Sequence, residues 1–223
     1  MKTPPSYIRF IPCWIVTLIV PFLIMVAIIR LLLTPLFLQI EYHTPNFPAD
    51  PYGFTQSDRL HWAPYAVNYL VNNASSSYLA DLKKPDGTPL FNANEVGHML
   101  DVKNLVQFVL RGWLICAAVL LLIGLWAWRS YWLIDFWHAV GRGGWLTVGL
   151  LIALLVIVLT SFDSLFIEFH RIFFPGGNWE FPTSDTLIRL FPLRFWQDCF
   201  ITVGSLSLII GLALGIPLSR KSR

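Results

Sequence analysis

Side chains that can transfer protons recur at helical spacing in two parts of the chain. Glu95, His98 and Asp101 follow one another at three-residue intervals, so a helix would carry them close to one face. Asp163 and His170 are seven residues apart, which also places them on one helical face, with a rise of about 10 Å between them. Neutral imidazole, with a pKa near about 6.5, can accept a proton and return one. Two histidines from two helices can therefore act as acid and base.

Both histidines are predicted to lie just outside the hydrocarbon layer of a membrane. His98 comes five residues before Lys103, where the apolar part of its helix begins. His170 comes eight residues after Phe162, where another apolar block ends. The ester carbonyls of lipids lie at this depth, between the acyl chains and the headgroups. A histidine pair at this depth is suited to acyl transfer from an ester, with no need for a nucleophilic serine.

Two other interpretations of these residues stay open. Each histidine can be a polar interface residue that is hydrogen-bonded to a neighbouring carboxylate and has a structural function only. The pattern Glu95-x-x-His98 also resembles the carboxylate-bridged dimetal bundles, which use two such motifs where this chain has one. Such a metal site would use Glu95, His98, Asp101 and His170. The alternatives to an acyltransferase are thus a metal-binding protein and a non-enzymatic envelope protein whose polar cluster is structural.

Two arginines lie beside or inside apolar segments, where an unpaired charge is costly. Arg30 follows the first apolar block and is predicted to snorkel to its outer edge. Arg111 lies about 12 Å below Lys103 by helical rise, so we expect a buried ion pair with Asp163 or Asp198. Stabilisation of a carbonyl oxygen is a second function open to both arginines.

The composition excludes a water-soluble fold. Of the 223 residues, 56% are hydrophobic and 13% are charged, about half the charged fraction of an ordinary soluble domain. The mean hydropathy is +0.61. The sequence predicts an all-α membrane protein, a single integral membrane domain over residues 1–223, with four transmembrane helices at about 10–33, 104–128, 145–162 and 195–218.

The distribution of charge predicts how these spans face. The positive-inside rule makes three basic segments cytoplasmic, and with them both termini: 1–9, 129–144 and 219–223. Twelve of the thirteen acidic residues lie in or beside the other two loops. These loops, at about 41–103 and 163–194, are predicted to be external, and the first is predicted to form a mostly helical cap.

Capping signals locate the helices of the outer loops. Thr55 is predicted to cap a helix that reaches about Tyr69. Asn92 and Glu95 form a capping-box pattern, which predicts that the second spanning helix begins well outside the membrane. The third spanning helix is likewise predicted to project outward, as far as residues 175–177.

Turn residues and aromatic residues complete the prediction for the outer loops. The proline and glycine within 84–87 favour a turn between two arms of a small hairpin, 77–82 and 88–91. Five aromatic residues are predicted to form an interfacial belt: Trp179, Phe181, Phe191, Phe195 and Trp196.

The sequence also argues against several partners. Basic residues are scattered one or two at a time and form no patch for nucleic acid. Cys13, Cys116 and Cys199 lie in or at the edge of apolar blocks, with no CxxC spacing, and therefore predict neither a disulfide nor a metal site.

Several blocks of sequence resemble a known bacterial family. They are residues 94–103 (ExxHMxDV), 162–170 (FDxxFxxFH), 177–179 (GNW) and 190–192 (LFP). Together with the four-span layout and the large first outer loop, they resemble the integral membrane proteins related to lipoprotein intramolecular transacylase.

The resemblance implies a reaction and its residues. The family moves the sn-2 acyl chain of an S-diacylglyceryl lipoprotein to the α-amino group of its N-terminal cysteine, without a cofactor. On matching positions, His98 and His170 are the expected catalytic pair, with Asp101 and Asp163 orienting the rings and Glu95 supporting them. The implied partners are a lipidated protein N-terminus and membrane lipid. The implied location is the bacterial cell membrane, with the active site facing outward.

Overall fold

The computed structural model describes residues 4–174, 177 and 179–218, and for residues 155–163 it describes the backbone alone. These residues form helices, with one isolated β-bridge between Lys83 and Pro89 and no strand. The helices are α1 (Ser6–Leu32), α2 (Pro35–Tyr42), α3 (Gln56–Val71), α4 (Ser77–Ala80), α5 (Ala93–Arg129), α6 (Leu133–Phe173), α7 (Thr186–Leu190) and α8 (Leu193–Leu218). The predicted all-α class is confirmed.

Three helices are long and apolar enough to cross a membrane, where side chains are described: α1, α5 and α8. They coincide with three of the predicted spans. The remaining predicted span, 145–162, is helical and lies within α6, but its side chains from residue 155 onward are outside the described residues. The four-span count and the location of the termini therefore stay predictions.

The predicted caps are present at the starts of α3 and α5. The Thr55 hydroxyl accepts a hydrogen bond from the Asp58 backbone N–H at 3.1 Å, and the Thr55 N–H donates to the Asp58 carboxylate at 2.8 Å. At α5, the Asn92 side chain accepts from the Glu95 N–H at 3.0 Å, and the Glu95 carboxylate accepts from the Asn92 N–H at 2.7 Å. Each reciprocal pair satisfies backbone donors that have no partner within the helix.

The predicted hairpin is only half formed. A tight turn is present, because the Lys84 N–H donates to the Thr88 carbonyl at 2.8 Å and Gly87 has a φ of +83°. The prediction that 77–82 is a strand is wrong, since α4 occupies most of it. One helical turn there brings Leu79 into the core, where it is fully buried.

The chain forms two compact units. The first consists of the chain up to Ile29, Leu110–Ser161 and the chain from Thr202 onward. The second consists of Arg30–Val109 and Phe162–Ile201, and it contains both candidate histidines.

Close helix packing in the first unit explains why a predicted loop is helical. Residues 129–144 were expected to connect two spans, but α6 covers most of them. A Cβ atom on Gly143 would lie 2.6 Å from the Cβ of Val20, and one on Gly144 would lie 2.6 Å from the carbonyl oxygen of Gly211. The two glycines therefore let α6 pack directly against α1 and α8, and that packing offsets the helix-weakening effect of glycine.

The second unit has its own hydrophobic core, built from α2, α3, α4, α7 and the first turns of α5 and α8. The Tyr42 hydroxyl donates to the Leu190 carbonyl at 2.9 Å and so joins α2 to α7 inside this core. Phe191 and Phe195, which were expected in an interfacial belt, are only 8% and 5% exposed and belong to the core. For these two residues the belt prediction is wrong. Other core residues are Phe37, Leu38, Ala66, Tyr69, Leu70, Leu79, Leu90, Met99 and Leu187.

Candidate active site

His98 lies on the second turn of α5 and is almost completely buried, with 8% of its surface exposed. The rings of Phe174 and Phe181 contact it edge-on, with centroid distances of 5.1 and 5.4 Å. Its buried Nδ1 atom has no hydrogen-bond partner among the described residues. The imidazole therefore sits in an aromatic environment that disfavours a positive charge.

His170 lies near the end of α6, and a backbone hydrogen bond fixes its tautomer. Its Nδ1 atom lies 2.7 Å from the carbonyl oxygen of Phe166, one helical turn earlier. A carbonyl can only accept, so Nδ1 carries the proton, and in the neutral ring Nε2 is then the unprotonated nitrogen. Trp179 packs against the ring at a centroid distance of 4.9 Å.

The fold brings the two histidines face to face. Their ring centroids are 6.0 Å apart and their planes are inclined by 24°. Burial lowers the pKa of both groups, which lie outside the predicted spans, and the neighbouring His170 lowers that of His98 further. The pKa of His98 falls from the usual 6.5 to about 4. Both rings are thus neutral at pH 7, the form in which an imidazole can accept a proton.

The lowered pKa predicts how stability depends on pH. The unfolded chain binds a proton at His98 near pH 6.5, whereas the folded chain does so near pH 4. The free energy of unfolding should therefore fall as the pH falls from 6.5 to 4. We expect His98→Gln, which cannot titrate, to show a shallower loss of thermal stability over this range. His61→Gln removes an exposed histidine and serves as the control, and equal slopes for wild type and His98→Gln would contradict the prediction.

Glu95 is fully committed to hydrogen bonds with the backbone. One carboxylate oxygen accepts from the Asn92 N–H, and the other accepts from the Leu187 N–H at 2.7 Å. The residue is 1% exposed, and burial raises the pKa of its carboxyl group, while the two backbone hydrogen bonds oppose this shift. Glu95 therefore joins the start of α5 to the start of α7 and supports His98 through the helix that carries both.

The structure describes the side chain of only one of the two aspartates that were expected to orient the rings. Asp101 is exposed on α5, one turn after His98, and its charge raises the pKa of His98, though less than burial lowers it. The side chain of Asp163 lies outside the described residues. The orienting functions of both aspartates remain predictions.

The two arginines are not brought into the histidine site by any described contact. Arg30 is exposed, and its guanidinium donates to the Leu33 carbonyl at 3.2 Å, which fits a snorkelling residue. Arg111 is exposed on α5. Asp198, one of its two expected partners, forms an ion pair with Arg194 on the same helix.

The geometry gives little support to the metal interpretation. No group of three or more potential ligand side chains comes together among the residues whose side chains are described. Both oxygens of Glu95 already accept backbone hydrogen bonds. The Glu95-x-x-His98 spacing therefore reflects a helix cap next to a buried histidine.

The sequence analysis did not predict the four aromatic residues that surround the histidines. Phe166, Phe174, Trp179 and Phe181 all pack against one or both rings. Trp179 and Phe181 had been interpreted as belt residues, because nothing in the local sequence distinguishes a ring facing lipid from one facing a histidine. The only available signal was the spacing of Phe166 and His170, which are four residues apart and must be neighbours on a helix.

These features define an α-helical membrane protein with a pair of neutral histidines, of which His98 is buried and His170 is partly buried. The family model described as "Lipoprotein intramolecular transacylase Lit" matches residues 13–196. The chain therefore belongs to this family of membrane transferases that modify lipoproteins. A protein of Aquifex aeolicus (strain VF5) described as uncharacterised is 27% identical over 198 residues, which cover 89% of this chain and 88% of that protein.

Solved structures show the same fold. The in meso structure of the membrane integral lipoprotein intramolecular transacylase Lit from Bacillus cereus matches with a TM-score of 0.73 and 18% identity, covering 98% of this chain and 99% of that one. A variant of that protein with a histidine replaced by arginine matches with a TM-score of 0.73 and 19% identity, covering 98% and 95% of the two chains.

Proposed function

We propose that this protein moves the sn-2 acyl chain of an S-diacylglyceryl lipoprotein to the α-amino group of its N-terminal cysteine, with His98 and His170 as an acid–base pair. The observation that carries the proposal is the approach of the two rings to 6.0 Å from separate helices. Family membership supports the reaction class. The substrate is a lipidated protein N-terminus embedded in membrane lipid.

The reaction needs one proton to be taken up and one to be delivered. The free amine loses a proton to a neutral imidazole as its nitrogen attacks the sn-2 ester carbonyl, and a tetrahedral intermediate forms. When the intermediate collapses, the ester C–O bond breaks and the glyceryl oxygen takes up a proton. The products are an amide on the cysteine nitrogen and a free hydroxyl on the glycerol, so atoms and charge balance without water or a cofactor.

The tautomer of His170 suits it to accept a proton. Its Nδ1–H is held by the Phe166 carbonyl, which leaves Nε2 as the basic nitrogen. His98, facing it, then serves as the second proton-transfer group. The reacting group would lie at the nitrogen-bearing edges of the two rings, because imidazole nitrogens donate and accept protons in the plane of the ring.

The surroundings favour transfer over hydrolysis. Four aromatic rings pack around the pair, and His98, which is 8% exposed, is shielded from water. Donor and acceptor belong to one lipidated residue, so binding converts the transfer into an effectively unimolecular step. In well-oriented cases this effect lowers the activation free energy by about 7–11 kcal/mol.

The proposal includes a membrane arrangement. Four spans in one integral domain would put both termini in the cytoplasm, with α2–α4 as part of an outer cap. The histidine site would then face outward at the boundary between acyl chains and headgroups, where a diacylglyceryl cysteine presents its esters. The charge bias of the loops supports this orientation.

The test is tandem mass spectrometry of N-terminal lipopeptides from a bacterial host that lacks lipoprotein N-acylation. Intramolecular transfer leaves the total mass unchanged, so fragment ions must locate the acyl chain on nitrogen or on the glyceryl oxygen. We expect an amide-linked chain when the protein is expressed and an unmodified diacylglyceryl cysteine when it is absent. Unmodified lipopeptides in the presence of folded, membrane-inserted protein would contradict the proposal.

A further inference from the structure

A polar cavity lies at the beginning of α1, in the unit that does not contain the histidine pair. Its volume is about 160 Å³, and it is formed by the first turns of α1 and the N-terminal part of α6. The polar lining residues are Ser6, Arg9, Asp135, His138 and Arg142.

Positive charge exceeds negative charge in this cavity. Arg9 forms an ion pair with Asp135, while Arg142 is exposed and lies over the ring of Trp14 at 6.0 Å. Two guanidinium groups therefore face one carboxylate. His138, which is partly buried, adds a nitrogen that can donate a hydrogen bond.

One hydrogen-bond donor beside the cavity also has no acceptor. The Nε atom of Arg9 is buried and has no hydrogen-bond partner among the described residues. An arginine offers five N–H donors, and a buried donor without an acceptor is costly. An anionic ligand with several oxygen atoms would supply the missing negative charge beside Arg9 and accept hydrogen bonds from the exposed guanidinium group of Arg142.

The position of the cavity at the end of α1 indicates the source of this anion. The cavity lies at the end of a helix that is apolar enough to span a membrane. On the same turns of α1, Phe10 is 63% exposed and Trp14 is 47% exposed. An exposed tryptophan at a span terminus, such as Trp14, lies at the level of lipid headgroups. The nearest abundant anions at that level are lipid phosphates.

From these observations we propose that the cavity binds the phosphate group of an anionic phospholipid. Basic pockets between spanning helices are suited to such headgroups. A zwitterionic lipid would bring an ammonium group close to the two arginines, so a lipid with net negative charge is favoured. The bound phosphate would join α1 to α6 beside the Arg9–Asp135 ion pair and stabilise the first unit, whether or not the protein transfers acyl chains.

The test measures lipid retention and thermal stability of the purified full-length protein. Native mass spectrometry and thermal unfolding would be recorded with added phosphatidylglycerol, phosphatidylcholine or inorganic phosphate. We expect one retained phosphatidylglycerol and a raised unfolding midpoint, with little effect from the other two, because a ligand that binds the folded state stabilises it. A full effect from inorganic phosphate alone would overturn the lipid assignment.

Variants distinguish this cavity from general surface charge. Arg142→Gln should weaken phosphatidylglycerol binding by about tenfold, and Arg142→Lys should keep part of it, because lysine retains the charge without the bidentate geometry. Since Arg142 is exposed, both variants should fold. Arg129→Gln removes the same charge from the end of α5, outside the cavity, and should bind normally. Equal weakening by Arg129→Gln, or none by Arg142→Gln, would overturn the proposal.

Discussion

Replacing His98 or His170 with alanine should lower the rate of acyl transfer by about 10²–10⁴-fold, the usual contribution of a general acid or base. The rings face each other at 6.0 Å, and each would transfer one of the two protons in the same reaction. The double variant should therefore be little worse than either single variant, because residues that act as a unit are not additive. The rate of appearance of amide-linked lipopeptide is the measurement.

Two controls separate catalysis from folding in this experiment. His61→Ala removes an exposed histidine that packs on Trp62, away from the pair, and should leave the rate unchanged. The amount of folded protein, measured by size-exclusion chromatography in detergent, should be the same for all variants. A His98→Ala or His170→Ala protein that is folded and transfers at the wild-type rate would refute the acid–base assignment and favour a structural function for the histidines.

Replacing Glu95 with alanine should produce the largest loss of stability among the candidate-site residues, about 2–4 kcal/mol. The change removes the acceptors of two backbone N–H groups, those of Asn92 and Leu187, at the starts of two helices. Because Glu95 is 1% exposed, water cannot easily replace the carboxylate. Glu95→Gln should be intermediate, since its amide keeps one acceptor oxygen and places a donor against the other N–H. Thermal unfolding in detergent measures these differences.

Asp58 offers a matched control for this prediction. It occupies the same capping-box position in α3 as Glu95 does in α5, but its hydrogen bonds with Thr55 are exposed to solvent. Asp58→Ala should therefore cost only about 0.5–1 kcal/mol. If Glu95→Ala instead kept the wild-type unfolding temperature and lost acyl transfer, Glu95 would belong to the reaction and not to the support of α5.

The predictions for residues 129–144 and 77–82 differ from the structure for a common physical reason. The glycines at 143 and 144 weaken a helix, and the turn at 84–87 favours a hairpin arm at 77–82; such local signals are all that a single sequence offers. Close contact with α1 and α8 in one case, and burial of Leu79 in the other, outweigh those signals. Intrinsic propensity differs by only about 1 kcal/mol per residue, so tertiary packing readily reverses it.

Features that depend on short-range spacing could be predicted from the sequence. Long apolar blocks predicted α1, α5 and α8, because a membrane-spanning helix needs a set length of apolar residues. The Thr55–Asp58 and Asn92–Glu95 pairs predicted their helix starts, because a cap operates within one turn. The spacing of His98 and His170 relative to the apolar blocks also predicted that two helices present one histidine each.

The surroundings of those histidines depend on how separate helices pack, and the sequence alone did not predict them. The ring separation, the packing of Phe174 and Phe181 on His98, and the resulting fall in the pKa of His98 all arise from residues that are distant from His98 in sequence. Glu95 had the spacing of an orienting carboxylate, yet its second oxygen is bound by a backbone N–H 92 residues away. A side chain's chemistry depends on its dielectric surroundings and hydrogen-bond partners, and both are set when separate helices pack together.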